Sequence, residues 1–497
     1  MPTSLPFSSP DSENSGGSTP LCVLPAPAIP TLLERHLAHL RAFYDAAPTE
    51  PTKGGLFYRK QLAGYYRDLI SPDASVLEIG CGNGELLRLL PNRDVVGIDI
   101  SARQIAAARL HVGRGEFHVM AGEDLKLERN FDIVILSETL NFAADVQQIL
   151  ERVHAVSHSG TRLILNFHSG LWRPLLALAT ALGLRAEHPA CNWLSSTDMR
   201  NMLHLAGWEV VKQQGRLLMT LPCFGLEKIV NRFVAPVLSQ LTLTVFQVAR
   251  PIQSALSEKS VSVVIPARNE SGNIEAAVRR TPRLGRHTEI IFIEGNSTDE
   301  TWTEILRVQN AYPDLDIKVM KQTGRGKGNA VREAFEAASG EILMILDADL
   351  TMPPEELTKF YDVLISGRAD FANGVRLVYP MENEAMRFLN MVANRFFSMA
   401  FTWLLGQPIK DTLCGTKVLF RSQYELIAKN RSYFGDFDPF GDFDLLFGAA
   451  KLNLKMIDLP IRYRARTYGE TNISRWKHGW LLLRMVWFAA RRLKFLS

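Results

Sequence analysis

At 497 residues the chain is too long for a single core, so two or more domains are expected. A net charge of +4 is too small to point to a nucleic acid partner, and 46% hydrophobic with 22% charged residues is the balance of a globular protein. Five cysteines (Cys22, Cys81, Cys191, Cys223, Cys414) stand apart without paired spacing, which argues against a disulfide framework or a zinc site and suits a reducing cytosol. No apolar run reaches about 18 uncharged residues, so no membrane span is read.

Residues 1–30 are rich in Ser, Pro and Gly without apolar periodicity, and a disordered tail is expected there. The first basic residue is Arg35, which leaves no positively charged leader and implies a cytoplasmic protein. From Leu32 to Arg67 the text is helical, with Phe57, Tyr58, Tyr65 and Tyr66 clustered as a core stripe usually is. Ser75–Leu87 reads as strand, glycine-rich turn and helix, the glycines letting backbone bend tightly and approach a ligand. A second strand, Val95–Asp99, ends in an acid about twenty residues after the glycines, placed to accept both ribose hydroxyls of an adenosine. Strands at Phe117–Met120, Phe131–Leu136 and Thr161–Phe167 alternate with helical text and predict a largely parallel sheet.

An apolar strand near Thr242–Arg250 closes this first unit, 31–250, and a polar linker spans 251–260. A second α/β unit, 261–472, opens with the strand and polar turn Val261–Glu270. Its second strand, Glu289–Ile293, runs into Glu294-Gly295-Asn296-Ser297-Thr298-Asp299, a turn that offers carboxylates and hydroxyls to a nucleotide and then caps a helix. Its third, Ile317–Met320, leads to Gly324-Arg325-Gly326-Lys327-Gly328, a mobile cationic loop suited to phosphate but without Walker spacing. The strongest signal is Gly340–Thr351, an apolar run that reads as a strand buried on both faces and ends in Asp347 and Asp349, where open α/β sheets bind ligands. Two acids one residue apart repel unless a cation lies between them, and Mg²⁺ or Mn²⁺ holding a diphosphate is the expected guest. Thr351, Pro353, Pro354, Glu355 and Glu356 read as a helix start, with Thr351 as the cap.

The stretch Glu78-Ile79-Gly80-Cys81-Gly82-Asn83-Gly84 resembles the first motif of class I S-adenosylmethionine-dependent methyltransferases, and Asp99 falls where that family has its ribose acid. Glu123-Asp124 resembles the part that touches adenine, and Phe131–Ser137 the family's fourth strand. The resemblance implies S-adenosyl-L-methionine as cofactor, held by Glu78, Gly80, Gly82, Gly84, Asp99, Glu123 and Asp124. Methyl transfer needs chiefly alignment of nucleophile and carbon. Ser137, Glu138, Asn141, Asn166 and His168 are polar groups on the acceptor side, none assigned a role, and 190–194 is a candidate substrate-side loop.

The second unit resembles glycosyltransferase family 2, inverting enzymes of the GT-A fold, and within it the branch that includes dolichyl-phosphate mannosyltransferases. The likeness is carried by Val264–Glu270, Gly295–Asp299, Gly324–Gly328, Asp347-Ala348-Asp349 and Asp411–Lys417. It implies a nucleotide-sugar donor held by Pro266, Ala267, Asn269, Glu270, Glu294, Asn296, Arg325, Lys327, Asp347 and Arg466, and a metal on Asp347 and Asp349. Glu294 replaces the family's usual aspartate, Asn296 is an intrusion, and the lysine expected after Arg466 is missing. Asp444, with Asp442 as the alternative, stands where the family has an acceptor-facing acid that takes the proton; a phosphate acceptor needs no base.

The sequence therefore reads as two Rossmann-like α/β domains, a class I methyltransferase fold followed by a GT-A fold, acting on a lipid-phosphate or glycan acceptor. A methyltransferase-like domain that only docks the glycosyltransferase, or a non-enzymatic factor that binds both nucleotides, are the other readings. Retention of both metal acids and all three glycines speaks against the last. After Glu470 no acid follows, and 473–497 mixes tryptophans with Lys and Arg; a basic amphipathic helix is expected to meet an anionic membrane surface peripherally, on its inner face. The other fate of such a helix is to pack on the protein's own core.

Overall fold

A computed structural model describes residues 31–50, 53–182, 188–189, 191–376, 388–431, 442–464 and 475–495. The proposed tail 1–30, Arg466 and Ala190 lie outside the described residues, as does the side chain of Asp442.

The first domain is built on strands β1 (Val76–Ile79), β2 (Val95–Asp99), β3 (Glu116–Val119), β4 (Phe131–Ser137), β5 (Ser157–His168), β6 (Trp208–Arg216) and β7 (Thr244–Pro251). Their order is β3-β2-β1-β4-β5-β7-β6. The first five run parallel, as a largely parallel sheet requires, whereas β7 is antiparallel to both β5 and β6, so the sheet is mixed at one edge. Side chains alternate between two buried layers: Leu77, Val96, Val134 and Leu165 on one face, Val76, Val95, Ile133 and Ile164 on the other. The second layer is closed by the helix Lys53–Leu69, whose Leu62, Ala63, Tyr65 and Tyr66 are buried. Before it, the helix Leu32–Ala46 begins at a reciprocal cap, with Glu34 N–H donating to the Thr31 hydroxyl and Thr31 N–H to the Glu34 carboxylate.

The second domain holds β8 (Val261–Ala267), β9 (Thr288–Glu294), β10 (Asp316–Lys321), β11 (Ile342–Ile345), β12 (Phe371–Val375), β13 (Lys417–Phe420) and β14 (Met456–Pro460), in the order β10-β9-β8-β11-β13-β12-β14. Strand β13 is antiparallel to both β11 and β12. The apolar run before Asp347 behaves as its sequence predicts. Ile342 and Met344 enter one core while Leu343 and Ile345 enter the other, because both faces of the sheet are covered by helices. Thr351 does not cap a helix; its N–H and hydroxyl donate to Asp349, and a short 3₁₀ turn Pro354–Glu356 precedes the helix Leu357–Ile365.

The domains meet over a buried polar seam. The Asp370 carboxylate accepts from Arg162 of β5 at 2.7 Å and from Arg250 of β7 at 2.9 Å, and Arg250 also bonds Glu209. Arg162 continues to the carbonyl of Asn453, Arg216 to that of Lys494 and Lys212 to that of Ala450. Burial pushes the Arg162 pKa down and Asp370 opposes it. The segment after β7 is pinned as well, with Leu256 N–H on the Ile365 carbonyl and Gln253 on that of Ser159. The C-terminal helix Arg475–Ala489 packs on the core through Met485 and Ala489, so it serves the protein's own interior on one side.

Candidate active sites

The first site lies where β1, β2 and β4 end. Gly80, Gly82 and Gly84 all have positive φ. A Cβ on Gly80 would stand 2.7 Å from the Thr139 hydroxyl, while one on Gly82 would meet nothing within 4 Å. The turn is thus closed against the protein at one glycine and open at the next, which suits close approach of a ligand. Asp99 accepts from the backbone N–H of Gly82 at 2.8 Å and of Ser101 at 2.9 Å, holding the turn of β1 to that of β2. Glu123 turns inward, its Oε1 accepting from Ala144 and Asp145 N–H; it anchors a loop, which leaves Asp124 as the exposed acid of that pair.

Glu78 is 3% exposed and its Oε2 has no hydrogen-bond partner among the described residues. Burial, with Asp99 adding to it and Arg59 opposing it, raises the Glu78 pKa to about 8. A buried, orphaned carboxyl beside an open glycine turn is a place for a cation. S-adenosylmethionine carries an ammonium and a sulfonium, so these residues fit it.

The chain preceding the first motif covers this site. Asn83 donates to the Thr49 carbonyl, and Asp45 accepts from the Ser101 hydroxyl at 2.6 Å. Burial, then the charges of Asp99 and Glu138, push the Tyr44 hydroxyl upward. At the end of β4, Glu138 adopts a φ of 62°, a conformation that bulky residues rarely hold without cause. Its Oε1 accepts from the Tyr58 hydroxyl and contacts His168 Nε2 at 3.0 Å, while Tyr58 also meets the Thr244 hydroxyl at 3.1 Å. Burial works against the Glu138 carboxylate, but His168 and Tyr58 outweigh it and hold its pKa at about 2. Alongside, Tyr66 donates to Asn166 at 2.6 Å. Tyr58 and Tyr66 therefore serve the site as well as the aromatic stripe. Asn192 closes the same loop, donating to the carbonyls of Leu140 and Ala143. The link from Tyr58 to Glu138 spans 80 residues and had no local signal.

The second site lies at the ends of β8, β9 and β11. Non-glycine residues with positive φ cluster here: Asn269, Asn296 and Leu350. The Asn269 side chain accepts from Thr298 N–H at 2.8 Å, and Glu270 N–H donates to the Thr301 hydroxyl at 2.9 Å, so the two nucleotide-facing turns are laced together. Pro266 and Ala267 close β8, and Ala267 accepts from Gly295 N–H. The Glu294 carboxylate folds back on its own turn, taking Ser297 N–H. The loop with Arg325 and Lys327 is braced where mobility was expected. Gln322 donates to the Gly326 carbonyl and to Asn329, and Glu333 accepts from Thr323 and Gly324.

This bracing sets Lys327 Nζ 2.5 Å from Asp347 Oδ1. Burial disfavours the Asp347 carboxylate, yet Lys327, with Lys417 and Arg376 behind it, holds its pKa below the ordinary value. Gly415 is needed here, since a Cβ would fall 2.1 Å from Asp347 Oδ2. Asp411 forms a two-point pair with Arg376 at 2.7 and 2.9 Å. Asp349 Oδ1 takes Thr351 at 2.8 Å. Among the described residues no group of three acidic, His or Cys side chains is gathered for a metal. Mg²⁺ commonly takes one or two carboxylates and completes its shell with phosphate oxygens and water, so Asp347 and Asp349 fit an ion shared with a diphosphate. Asp444, on the helix Asp442–Lys451, is buried between Arg431 at 2.9 Å and Arg332 at 3.4 Å.

Residues 51–213 match the family model "Methyltransferase domain" and residues 262–426 match "Glycosyl transferase family 2". The dolichol-phosphate mannosyltransferase of Pyrococcus furiosus is 29% identical over 220 residues, 43% of this chain and 59% of that protein. The glycosyltransferase AglJ of Haloferax volcanii is 30% identical over 225 residues, 45% of this chain and 69% of that protein. A SAM-dependent methyltransferase of Thermotoga maritima is a structural neighbour at 17% identity and a TM-score of 0.31, covering 39% of this chain and 90% of its own. By its C-terminal domain the chain belongs to glycosyltransferase family 2, and that domain follows a methyltransferase domain of the class I fold.

Proposed function

We propose that the chain is a bifunctional transferase. Its second domain moves a sugar from a nucleotide-sugar to a lipid-phosphate acceptor with inversion, and its first moves a methyl group from S-adenosylmethionine. The observation that carries the sugar-transfer reading is Lys327 seated on Asp347 at the end of β11, with Asp349 two residues on. There Lys327 and Arg325 bind donor phosphates and the laced turns of Asn269 and Asn296 orient the nucleotide. A divalent ion bound with the donor would neutralise charge building on the leaving diphosphate. Asp444, held by two guanidiniums, is built to fix position more than to receive a proton, which favours an acceptor that is already an anion.

In the first domain Glu78 meets the cofactor's positive charge and Asp99 its ribose. S-adenosylmethionine supplies the electrophilic methyl carbon. Glu138 and His168 hold each other on the acceptor side, where the pair positions the acceptor for in-line attack. The reading in which this domain only docks its neighbour is favoured by the seam at Asp370, but docking does not account for an orphaned carboxyl at Glu78.

The test is incubation of the full chain with a panel of nucleotide-sugars and Mn²⁺. Donor hydrolysis or transfer to a polyprenyl phosphate supports the reading, and no turnover of any donor counts against it.

A further inference from the structure

The helix Arg173–Ala181 carries the sequence RPLLALATA and buries none of its residues. A helix this apolar normally lies in a core. It stands beside the segment 217–241, where Phe224 is fully exposed and Ile229 and Val237 are 58% and 64% exposed. The two are joined, since the Trp172 indole donates to the Leu241 carbonyl at 2.9 Å. The same face runs on into the second domain. Trp403 donates to the Pro236 carbonyl at 3.1 Å, and the rings of Phe233 and Phe495 lie 5.2 Å apart. Next to Phe495, the C-terminal helix shows solvent Trp480, Leu483 and Trp487. A patch this extended on a globular protein marks an interaction surface.

Its charge says what covers it. Residues 169–182 and 475–497 contain no acid, and 217–241 contains only Glu227. Glu227 is 3% exposed and turned onto the N–H groups of Cys223 and Gly225. The same segments carry Arg173, Lys228, Arg484 and Arg491, all exposed. A second copy of the chain would bring two such basic sets together, whereas anionic headgroups complement them. Exposed tryptophans over an apolar surface also suit a bilayer interface. No helix among the described residues is long and apolar enough to cross a membrane, so the contact is one of surface.

We propose that this face, built mainly by the methyltransferase domain and continued by the C-terminal helix, seats the protein on an anionic lipid bilayer. It adjoins the methyl-acceptor side of the first site: Ser169 follows His168 at the end of β5, and Leu241 lies just ahead of Thr244, which meets Tyr58. A methyl acceptor carried by a lipid would reach His168 from that side. This last consequence rests on the methyl-transfer reading, while docking itself needs neither activity.

The experiment is co-sedimentation of the full chain with phosphatidylcholine vesicles containing or lacking phosphatidylglycerol, at low and high salt. Wild type should bind the anionic vesicles at low salt. The double variant Leu178→Asp, Phe224→Asp should bind about tenfold less or worse, and Trp487→Asp less severely. All three side chains are exposed, so unchanged melting temperatures should confirm that folding is intact. The proposal is overturned if wild type ignores anionic vesicles, or if the double variant binds like wild type. It is equally overturned if light scattering shows a dimer that Phe224→Asp dissolves without any vesicle binding, since the face then meets a second copy. Loss of methyl transfer with vesicle binding retained would fault the catalytic reading and leave this one standing.

Discussion

The two sites use the same architecture, a turn at the carboxyl end of a central parallel strand, and set their carboxylates in opposite ways. Glu78 at the end of β1 is buried, its Oε2 without a hydrogen-bond partner among the described residues, and its proton is held to about pH 8. Asp347, just past β11, is ionised below the ordinary range and already faces the ammonium of Lys327. At one site Arg59 offsets only part of the effect of burial; at the other a lysine is seated on the carboxylate. The difference matches what each would receive. A sulfonium ligand brings positive charge to a carboxyl that burial keeps protonated, whereas a diphosphate brings negative charge to a place where a lysine is ready and a metal can join. Similar folds thus prepare for ligands of opposite charge through the neighbours of one acid.

The largest expected effect tests whether the two sites belong to one body. Asp370→Ala leaves Arg162 and Arg250 buried without their shared partner, and should destabilise the chain by about 3–5 kcal/mol. Chemical denaturation would read this as an early transition of both domains together. Independent melting of an unaffected first domain would break the comparison into two unrelated halves.

At the saturated site, Asp349→Asn should keep the fold and lower sugar transfer about 10²–10³-fold, with EDTA doing the same to wild type. Transfer that survives chelation would show that Lys327 suffices without a metal. At the first site, Glu138→Gln should lower the methyl-transfer rate about 10²-fold or more by releasing His168, with S-adenosylmethionine binding kept. A change in binding alone would make Glu138 a structural residue. The smallest effect is that of Asp99→Ala. It should weaken S-adenosylmethionine by about 1–3 kcal/mol, part of it through loosening the Gly82 turn that Asp99 holds. Calorimetry with no loss would remove Asp99 from the site.

Much of this was legible in the sequence, for physical reasons. A strand buried on both faces must be apolar throughout, so β11 announced itself; a glycine turn announced the end of β1 and two acids one residue apart announced the end of β11. What stayed hidden depends on partners far along the chain. The strand β6 was not anticipated because Lys212 and Arg216 interrupt its apolar pattern, and both are charged for the sake of carbonyls in the other domain. Tyr58 looks like a core aromatic until its hydroxyl is seen on Glu138 at the end of β4. The loop at Arg325 reads as mobile because glycines permit motion; Gln322, Asn329 and Glu333 remove it. The helix Arg173–Ala181 misleads in the other sense, with a core composition and an exposed position. The Oε1 of Glu123 accepts from Ala144 and Asp145 N–H, two partners that sequence spacing could not show.

The opposite charge settings of the two sites can be tested at Glu78 by counting protons. In the free protein near pH 7 a carboxyl with a pKa of about 8 is mostly protonated, and a ligand cation favours its ionised form. Binding must then expel the proton, so affinity should rise with pH toward that value, by about tenfold per unit. Titration calorimetry of S-adenosylmethionine in buffers of different ionisation enthalpy gives the number released. Comparison with Glu78→Gln cancels any proton from the ligand itself. Wild type should release close to one proton more than the variant near pH 7 and bind more tightly at pH 8. Equal proton release in the two, with equal affinity, would mean that Glu78 does not face the cofactor and that the contrast between the sites is not built for their ligands.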